Sequence, residues 1–227
     1  MVPDESLRFA DRAEAGSALA DEISRYLREN SVTGRPLVLG MSRGGVPVAA
    51  EVARAVGADL DVIVVGAIGL PWKPDFKVGA IAESGPLVIN HDKMTRADVS
   101  TNDLAPAVAA ERAELARLAD MYRDGRPAVD VADRTVIVVD DGMQTGVRAR
   151  AALRALHAGM PAHLVFATPV CAAEASGALE IEADGLVHTR CPCCFSATGL
   201  WYRDIPDLTD ADIAAIMHRE RSLATAG

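Results

Sequence analysis

Arg134-Thr135-Val136-Ile137-Val138-Val139-Asp140-Asp141-Gly142-Met143-Gln144-Thr145-Gly146 passes from an apolar run to two acids and then to a turn bounded by glycines. Arg134 to Val139 is almost purely apolar, which is the pattern of a strand buried on both faces. After it, Ala149, Ala152, Leu153 and Leu156 mark a helix closed by Gly159 and Pro161. Strand, tight loop and helix make one unit of a parallel α/β sheet. The loop carries the chemistry. Two adjacent carboxylates bind phosphate badly, yet they accept hydrogen bonds from hydroxyls, and a vicinal diol offers two. Gly142 to Gly146 supplies backbone N–H groups at a helix N-terminus, and Thr145 adds a hydroxyl, so the loop is a phosphate cradle. Diol acceptors beside a phosphate cradle describe a ribose 5-phosphate. A solvated Asp pair in an ordinary strand–turn–helix loop explains this fixed order of residues less well.

The same unit recurs on either side. Leu19, Ile23, Tyr26 and Leu27 predict a helix over roughly Asp11 to Glu29, and Pro36 to Gly40 a buried strand. That strand ends in Met41-Ser42-Arg43-Gly44-Gly45. A helix follows, with Pro47 near its first turn, Val48, Val52 and Val56 on one face, and Gly57 as its stop. Asp61 to Val65 is a second buried strand. Gly66 to Lys77, rich in Gly and Pro with Trp72 exposed, reads as a mobile loop. Val78 to Ala82 and Pro86 to Asn90 read as a hairpin around Ser84-Gly85. From Ala105 to Tyr122 a helix turns Val108, Leu115, Leu118 and Tyr122 inward, with Glu111, Arg112, Glu114 and Arg117 toward water. His163 to Ala167 and Gly185 to His188 are further strands. In the tail helix Thr209 and Asp212 resemble a capping box, and Ile213, Ile216 and Met217 form the apolar stripe. The fold class is therefore α/β, a Rossmann-like parallel sheet with helices on both faces. Ligands in such sheets sit at the carboxyl ends of strands, where Met41–Gly45, Gly66–Lys77 and Asp140–Gly146 emerge.

Composition narrows the partners. The chain has 227 residues, half of them hydrophobic and 4% aromatic, enough for one good-sized domain with a full core. A net charge of −9 argues against a general nucleic-acid surface. It leaves room for small anions held by backbone N–H groups and one or two basic residues. No stretch has the length of a membrane span, and Met1 to Ala10 lacks the apolar centre of a signal peptide, so a cytoplasmic protein is expected. Cys171, Cys191, Cys193 and Cys194 do not suggest a disulfide framework, and C-P-C-C lacks the gap of a zinc knuckle; structural thiols are expected. His91, His157, His163, His188 and His218 do not cluster at ligand spacing. No dinucleotide-binding or P-loop glycine pattern stands at a strand end.

Val136 to Arg148 resembles the phosphoribosyl-pyrophosphate motif of type I phosphoribosyltransferases. A bacterial group within that family is similar over nearly the whole chain. Its matching stretches are Phe9 to Gly16, Ser42 to Ala49, Gly79 to Glu83 and Gly199 to Tyr202. The resemblance implies a single domain over residues 1–227, with a hood formed mainly by roughly 190–227 and part of the N-terminus. It implies a donor, 5-phosphoribosyl-1-pyrophosphate, whose pyrophosphate is displaced from ribose C1 by a nitrogen nucleophile with Mg²⁺ as cofactor. Asp140 and Asp141 would bind the ribose hydroxyls, directly or through Mg²⁺. Gly142, Met143, Gln144, Thr145 and Gly146 would hold the 5-phosphate. Ser42, Arg43 and Gly44 would hold the pyrophosphate, with Arg43, Asp140 and Asp141 as the catalytic set and Gly66 to Lys77 as the lid. A homodimer is expected by analogy only.

Two departures bear on turnover. The resembled group carries Arg-Lys at the end of the second strand, where this chain has Gly66-Ala67; Lys73 and Lys77 are the nearest candidates to compensate. The phosphate loop carries Gln144 in place of a small residue and Arg148 in place of a hydroxyl residue. A phosphoribose-binding regulatory module with weak or no catalysis is therefore the alternative to an enzyme. Glu83 reads either as an acid–base group or as part of a turn. Trp201 reads either as a stacking surface for a base or as a plug of the core.

Overall fold

The computed structural model describes residues 3–177 and 179–226; Met1 and Val2, the start of the N-terminal stretch considered above, and Gly227, the end of the expected hood, lie outside the described residues. In chain order the elements are α1 (Arg12–Glu29), β1 (Leu37–Met41), α2 (Ser42–Val56), β2 (Asp59–Ile63), β3 (Val65–Leu70), β4 (Lys73–Ala82), β5 (Val88–Ile89), α3 (His91–Ala97) and α4 (Ala105–Arg123). They continue with β6 (Thr135–Val139), α5 (Val147–His157), β7 (His163–Val170), α6 (Ala173–Ser176), β8 (Gly185–Arg190) and α7 (Asp210–Ala226).

Five strands form a parallel sheet in the order β2-β1-β6-β7-β8. From β1 the chain moves outward to β2; from β6 it moves the opposite way through β7 to β8. The direction reverses between β1 and β6, so the crevice outside their carboxyl ends is the ligand position of an open α/β sheet. Gly40 pairs with Val139, which sets the ends of the two strands side by side.

Both faces of the sheet are covered, which is why its strands do not alternate. Leu37, Leu39, Met41, Val136 and Val138 pack with α5 and the second sheet. Val38, Ile137 and Val139 pack with α1 and α2 on the other side. Each of these side chains is essentially excluded from water, and each contributes roughly 1.5–3 kcal/mol of apolar burial.

The segment Gly66–Lys77 differs from the expected loop. It is most of an antiparallel hairpin, β3 against β4, in a sheet of order β3-β4-β5. Gly69 within it is a close-approach site for neighbouring backbone, since a Cβ there would strike Pro74. Farther along β4 the same holds of Gly79, where a Cβ would lie 2.6 Å from the Val88 carbonyl. Trp72, at the hairpin tip, is 65% exposed. The β4–β5 pairing matches the hairpin expected from Val78 to Asn90. The apolar run Asp61 to Val65 is split between two sheets, because β2 ends at Ile63 and β3 begins at Val65. Arg123 joins the two sheets from α4: its guanidinium, 7% exposed with its residue, reaches Asp61 at 3.2 Å and Glu83 at 2.6 and 2.8 Å. Glu83 lies in the turn after β4, as one of its two readings had it, and its carboxylate is spent on Arg123.

Helix α7 lies against α2 and α4. Thr209 and Asp212 do form the reciprocal cap, with Thr209 N donating to Asp212 Oδ2 at 2.8 Å and Asp212 N to Thr209 Oγ1 at 3.2 Å. The N-terminal stretch pairs with residues 201–204: Phe9 N donates to the Trp201 carbonyl and Arg203 N to the Phe9 carbonyl, both at 2.8 Å. Trp201 is buried with Phe9, Tyr202 and Val170, so it plugs the core. Among the described residues no helix is long and apolar enough to cross a membrane.

Candidate functional site

Two hollows adjoin at the carboxyl ends of β1 and β6. The larger, about 680 Å³, is lined by Arg12, Ser42, Arg43 and Gly44 on one side and by Val64 to Ala67 and Glu111 on another, with Asp140, Asp141 and Arg148 at its floor. The smaller, about 160 Å³, is lined by Asp140, Gly142 to Gly146, Arg148 and Thr198. Asp140 belongs to both. The structure thus brings every residue singled out in the two loops to one crevice.

Glycines make the convergence sterically feasible. A Cβ on Gly45 would collide with the Val139 carbonyl, and one on Gly44 with the Asp141 carboxylate. The first turn of α2 can therefore press against the end of β6. Met41 to Gly45 is no free loop: β1 runs through Met41 and α2 starts at Ser42. The join is made by Ser42 in the left-handed region, φ 54°, a conformation that costs a non-glycine residue about 1–3 kcal/mol. Its Oγ donates to the Val65 carbonyl at 3.0 Å. No side chain caps α2, so its first amides are available to an anion.

Asp140 is 3% exposed, and burial pushes its carboxyl up to about 7, against the opposing charge of Arg148 at 3.6 Å and with the neighbouring Asp141 adding to the rise. Asp141 is held by Arg12, whose Nε donates to Oδ2 at 3.0 Å, while the Tyr202 hydroxyl donates to the Asp141 carbonyl at 2.6 Å. Burial, and then the Asp141 charge, push the Tyr202 phenol upward and keep it a donor. Sequence reasoning assigned neither role, although Arg12 and Tyr202 both lie in stretches that carry the family resemblance. A carboxylate strained by burial, beside a second one, with only oxygen donors presented, fits a hard cation such as Mg²⁺.

In the loop, Met143 departs from its expected part. Its N–H donates to the Val170 carbonyl at 2.9 Å, its carbonyl accepts from Ala172 N at 2.8 Å, and its side chain is buried. It anchors the loop to β7. Among the described residues, no group accepts from the amides of Gln144, Thr145 or Gly146. Gln144 spends its side chain on the Ser196 carbonyl at 2.8 Å, and Gly146 caps α5 with φ 68°.

The wall opposite α5 departs furthest from expectation. Arg43 lines the cleft, yet its Nε pairs with Asp210 of α7 at 2.7 Å, and Asp210 also accepts from the Tyr122 hydroxyl at 2.8 Å. Glu111, expected toward water, is half-buried at the cleft; its carboxylate lies where a side chain on residue 66 would have to be. Burial raises its pKa, with Lys77 opposing and Glu114 reinforcing. Neither Lys73 nor Lys77 lines the cleft. Away from the cleft, His188 does cluster: its ring nitrogen and the sulfurs of Cys171 and Cys191 all lie within 4.8 Å of one another. Cys171 and His188 are far apart in sequence, and only the β7–β8 pairing closes that gap, so spacing alone gave no sign of it.

Comparison with known proteins agrees with this geometry. The model of the phosphoribosyl transferase domain matches residues 10–191. Two Mycobacterium tuberculosis proteins, from strains CDC 1551 and H37Rv, carry provisional phosphoribosyl transferase names and are 34% identical over 221 residues, 96% of this chain and 48% of theirs. The chain thus spans about half the length of the curated relatives it matches. The crystal structure of TT1426 from Thermus thermophilus superposes with a TM-score of 0.76 at 37% identity, covering 93% of this chain and 98% of that one. AQ2163 from Aquifex aeolicus, with a TM-score of 0.50 at 9% identity over 83% of this chain and 78% of that one, shares the fold alone.

Proposed function

This chain belongs to the phosphoribosyl transferase domain family, and from that premise we propose that it transfers the phosphoribosyl group of 5-phosphoribosyl-1-pyrophosphate to a nitrogenous acceptor, with Mg²⁺ as cofactor. The observation that carries the reading is the pair Asp140-Asp141 at the strand reversal, flanked by the first turns of α2 and α5, which no side chain caps.

Asp140 and Asp141 accept hydrogen bonds from the ribose 2- and 3-hydroxyls. The amides of Gln144, Thr145 and Gly146 hold the 5-phosphate, aided by the α5 dipole. The amides of Ser42, Arg43 and Gly44 face the pyrophosphate, and Arg43 joins them by exchanging Asp210 for phosphate oxygens. Asp140 and Asp141 would hold Mg²⁺, whose chemistry there would be to neutralise charge on the donor. As the C1–O bond breaks, its electron pair leaves with pyrophosphate; the acceptor nitrogen forms the C1–N bond and gives up its proton. The β3–β4 hairpin is the element that excludes water. Residues from roughly 190 to 226 and part of the described N-terminal stretch form most of the hood, and a cytoplasmic setting, a homodimer and a role in nucleotide metabolism follow from the same reading.

Two observations favour a second reading, a phosphoribose-binding regulatory module. Glu111 places a negative charge against Gly66, and Arg43 is already engaged by Asp210. Both oppose binding of a departing pyrophosphate more than binding of the sugar phosphate. Pyrophosphate release, measured with the donor and Mg²⁺ across a panel of bases and amines, separates the two. Release with one acceptor supports the enzyme; binding of the donor without release across the panel supports the module.

A further inference from the structure

We propose that the chain has a second metal site, a soft transition-metal site for Zn²⁺, formed by Cys171, His188 and Cys191 behind the phosphate loop. The three come from different places. Cys171 follows β7 and is fully buried, His188 lies on β8, and Cys191 follows β8. Register explains their meeting: Val170 pairs with Arg190, so the strands deliver Cys171 and Cys191 side by side, and Cys171 N donates to the Arg190 carbonyl at 3.0 Å.

The spacing of the donor atoms suits a tetrahedral ion. The Cys171 and Cys191 sulfurs are 3.4 Å apart, and a ring nitrogen of His188 lies within 4.8 Å of both. Zinc–sulfur bonds of about 2.3 Å at tetrahedral angles separate two thiolates by about 3.8 Å, so small side-chain shifts complete the geometry. Two thiolates and an imidazole select zinc over magnesium, which takes oxygen donors. Cys191 is exposed, which leaves the fourth position open toward solvent.

The place of the site gives it a role. Cys171 pairs with Met143 of the phosphate loop, and Ala172 N donates to the Met143 carbonyl at 2.8 Å. On the far side, the segment following Cys191 reaches the same loop, where the Ser196 carbonyl accepts from Gln144 Nε2 at 2.8 Å. A metal joining Cys171 to Cys191 ties that segment to the sheet and so fixes both supports of the loop. This site shares no residue with the Asp140-Asp141 pair.

The test uses the full chain, reduced and freed of metal, titrated with Co²⁺ and then with Zn²⁺. The expected result is saturable Co²⁺ binding with thiolate-to-cobalt charge-transfer absorption and tetrahedral visible bands, displaced by equimolar Zn²⁺. His188→Ala and Cys191→Ser, whose residues are not fully buried, should each abolish those bands while far-UV circular dichroism stays unchanged. The double variant Cys193→Ser/Cys194→Ser should keep them. Absence of thiolate bands in the folded, reduced wild type overturns the proposal. So does binding that survives in His188→Ala and Cys191→Ser, or that follows Cys193 and Cys194 instead.

Discussion

The carboxylate of Glu111, on α4, occupies the space in front of Gly66, on β3, that a side chain at position 66 would need. A cleft wall that a phosphoribosyl donor would find helpful if cationic is anionic here. Replacing that charge should therefore help an anion. Glu111→Gln is expected to tighten pyrophosphate binding about 3- to 10-fold at low salt, from roughly 1 kcal/mol of removed repulsion at several ångströms. Isothermal titration of both proteins measures it. Equal affinities would mean that pyrophosphate does not approach the Gly66 wall.

Asp140 sets a pH dependence. Its carboxyl is raised from 3.8 to about 7 by burial, so the fold favours the protonated form. The stability it lends is full below the ordinary value and is lost as pH rises through about 7. Asp140→Asn lacks that loss and should be the more stable protein at pH 8 by an amount on the order of a few kcal/mol, with little difference near pH 4. Mg²⁺ needs the ionised carboxylate, so its affinity for the wild type should climb with pH and level off above about 7. Thermal melts across pH, with and without Mg²⁺, read both. Parallel pH curves for wild type and variant would contradict the assignment.

Arg123 is the stability test. It is buried between Asp61 of the parallel sheet and Glu83 of the turn after β4, and its Nη2 also donates to the Val62 carbonyl at 2.6 Å. Arg123→Ala leaves two carboxylates without their cation, which should cost about 3–5 kcal/mol. Urea denaturation measures the loss. A change below about 1 kcal/mol would mean that the pair is as weakly coupled as exposed ones are.

Much of this architecture is legible from residues alone. The doubly buried strands announce themselves by continuous apolar runs, and Asp140 to Gly146 lies where its order of acids and glycines puts it. What the sequence hides has physical causes. Gly69 reads as a breaker because glycine serves turns and close strand approach equally, so a hairpin is taken for a loop. The run from Asp61 to Val65 changes sheets without any change of composition. Glu111 fits the polar face of an amphipathic helix, and only the β3–α4 packing turns it into the cleft. Arg12 and Tyr202 come from opposite ends of the chain to meet Asp141. His188 needs the β7–β8 register to reach Cys171.

The central claim is that the cleft binds phosphoribose through its acid pair. Titration calorimetry of the chain with 5-phosphoribosyl-1-pyrophosphate and Mg²⁺ tests it most directly, with the double variant Asp140→Asn/Asp141→Asn alongside. Saturable binding to the wild type is expected, weakened at least about tenfold, or roughly 1.4 kcal/mol, in the variant. No binding to the wild type, or equal binding to both proteins, would contradict the claim.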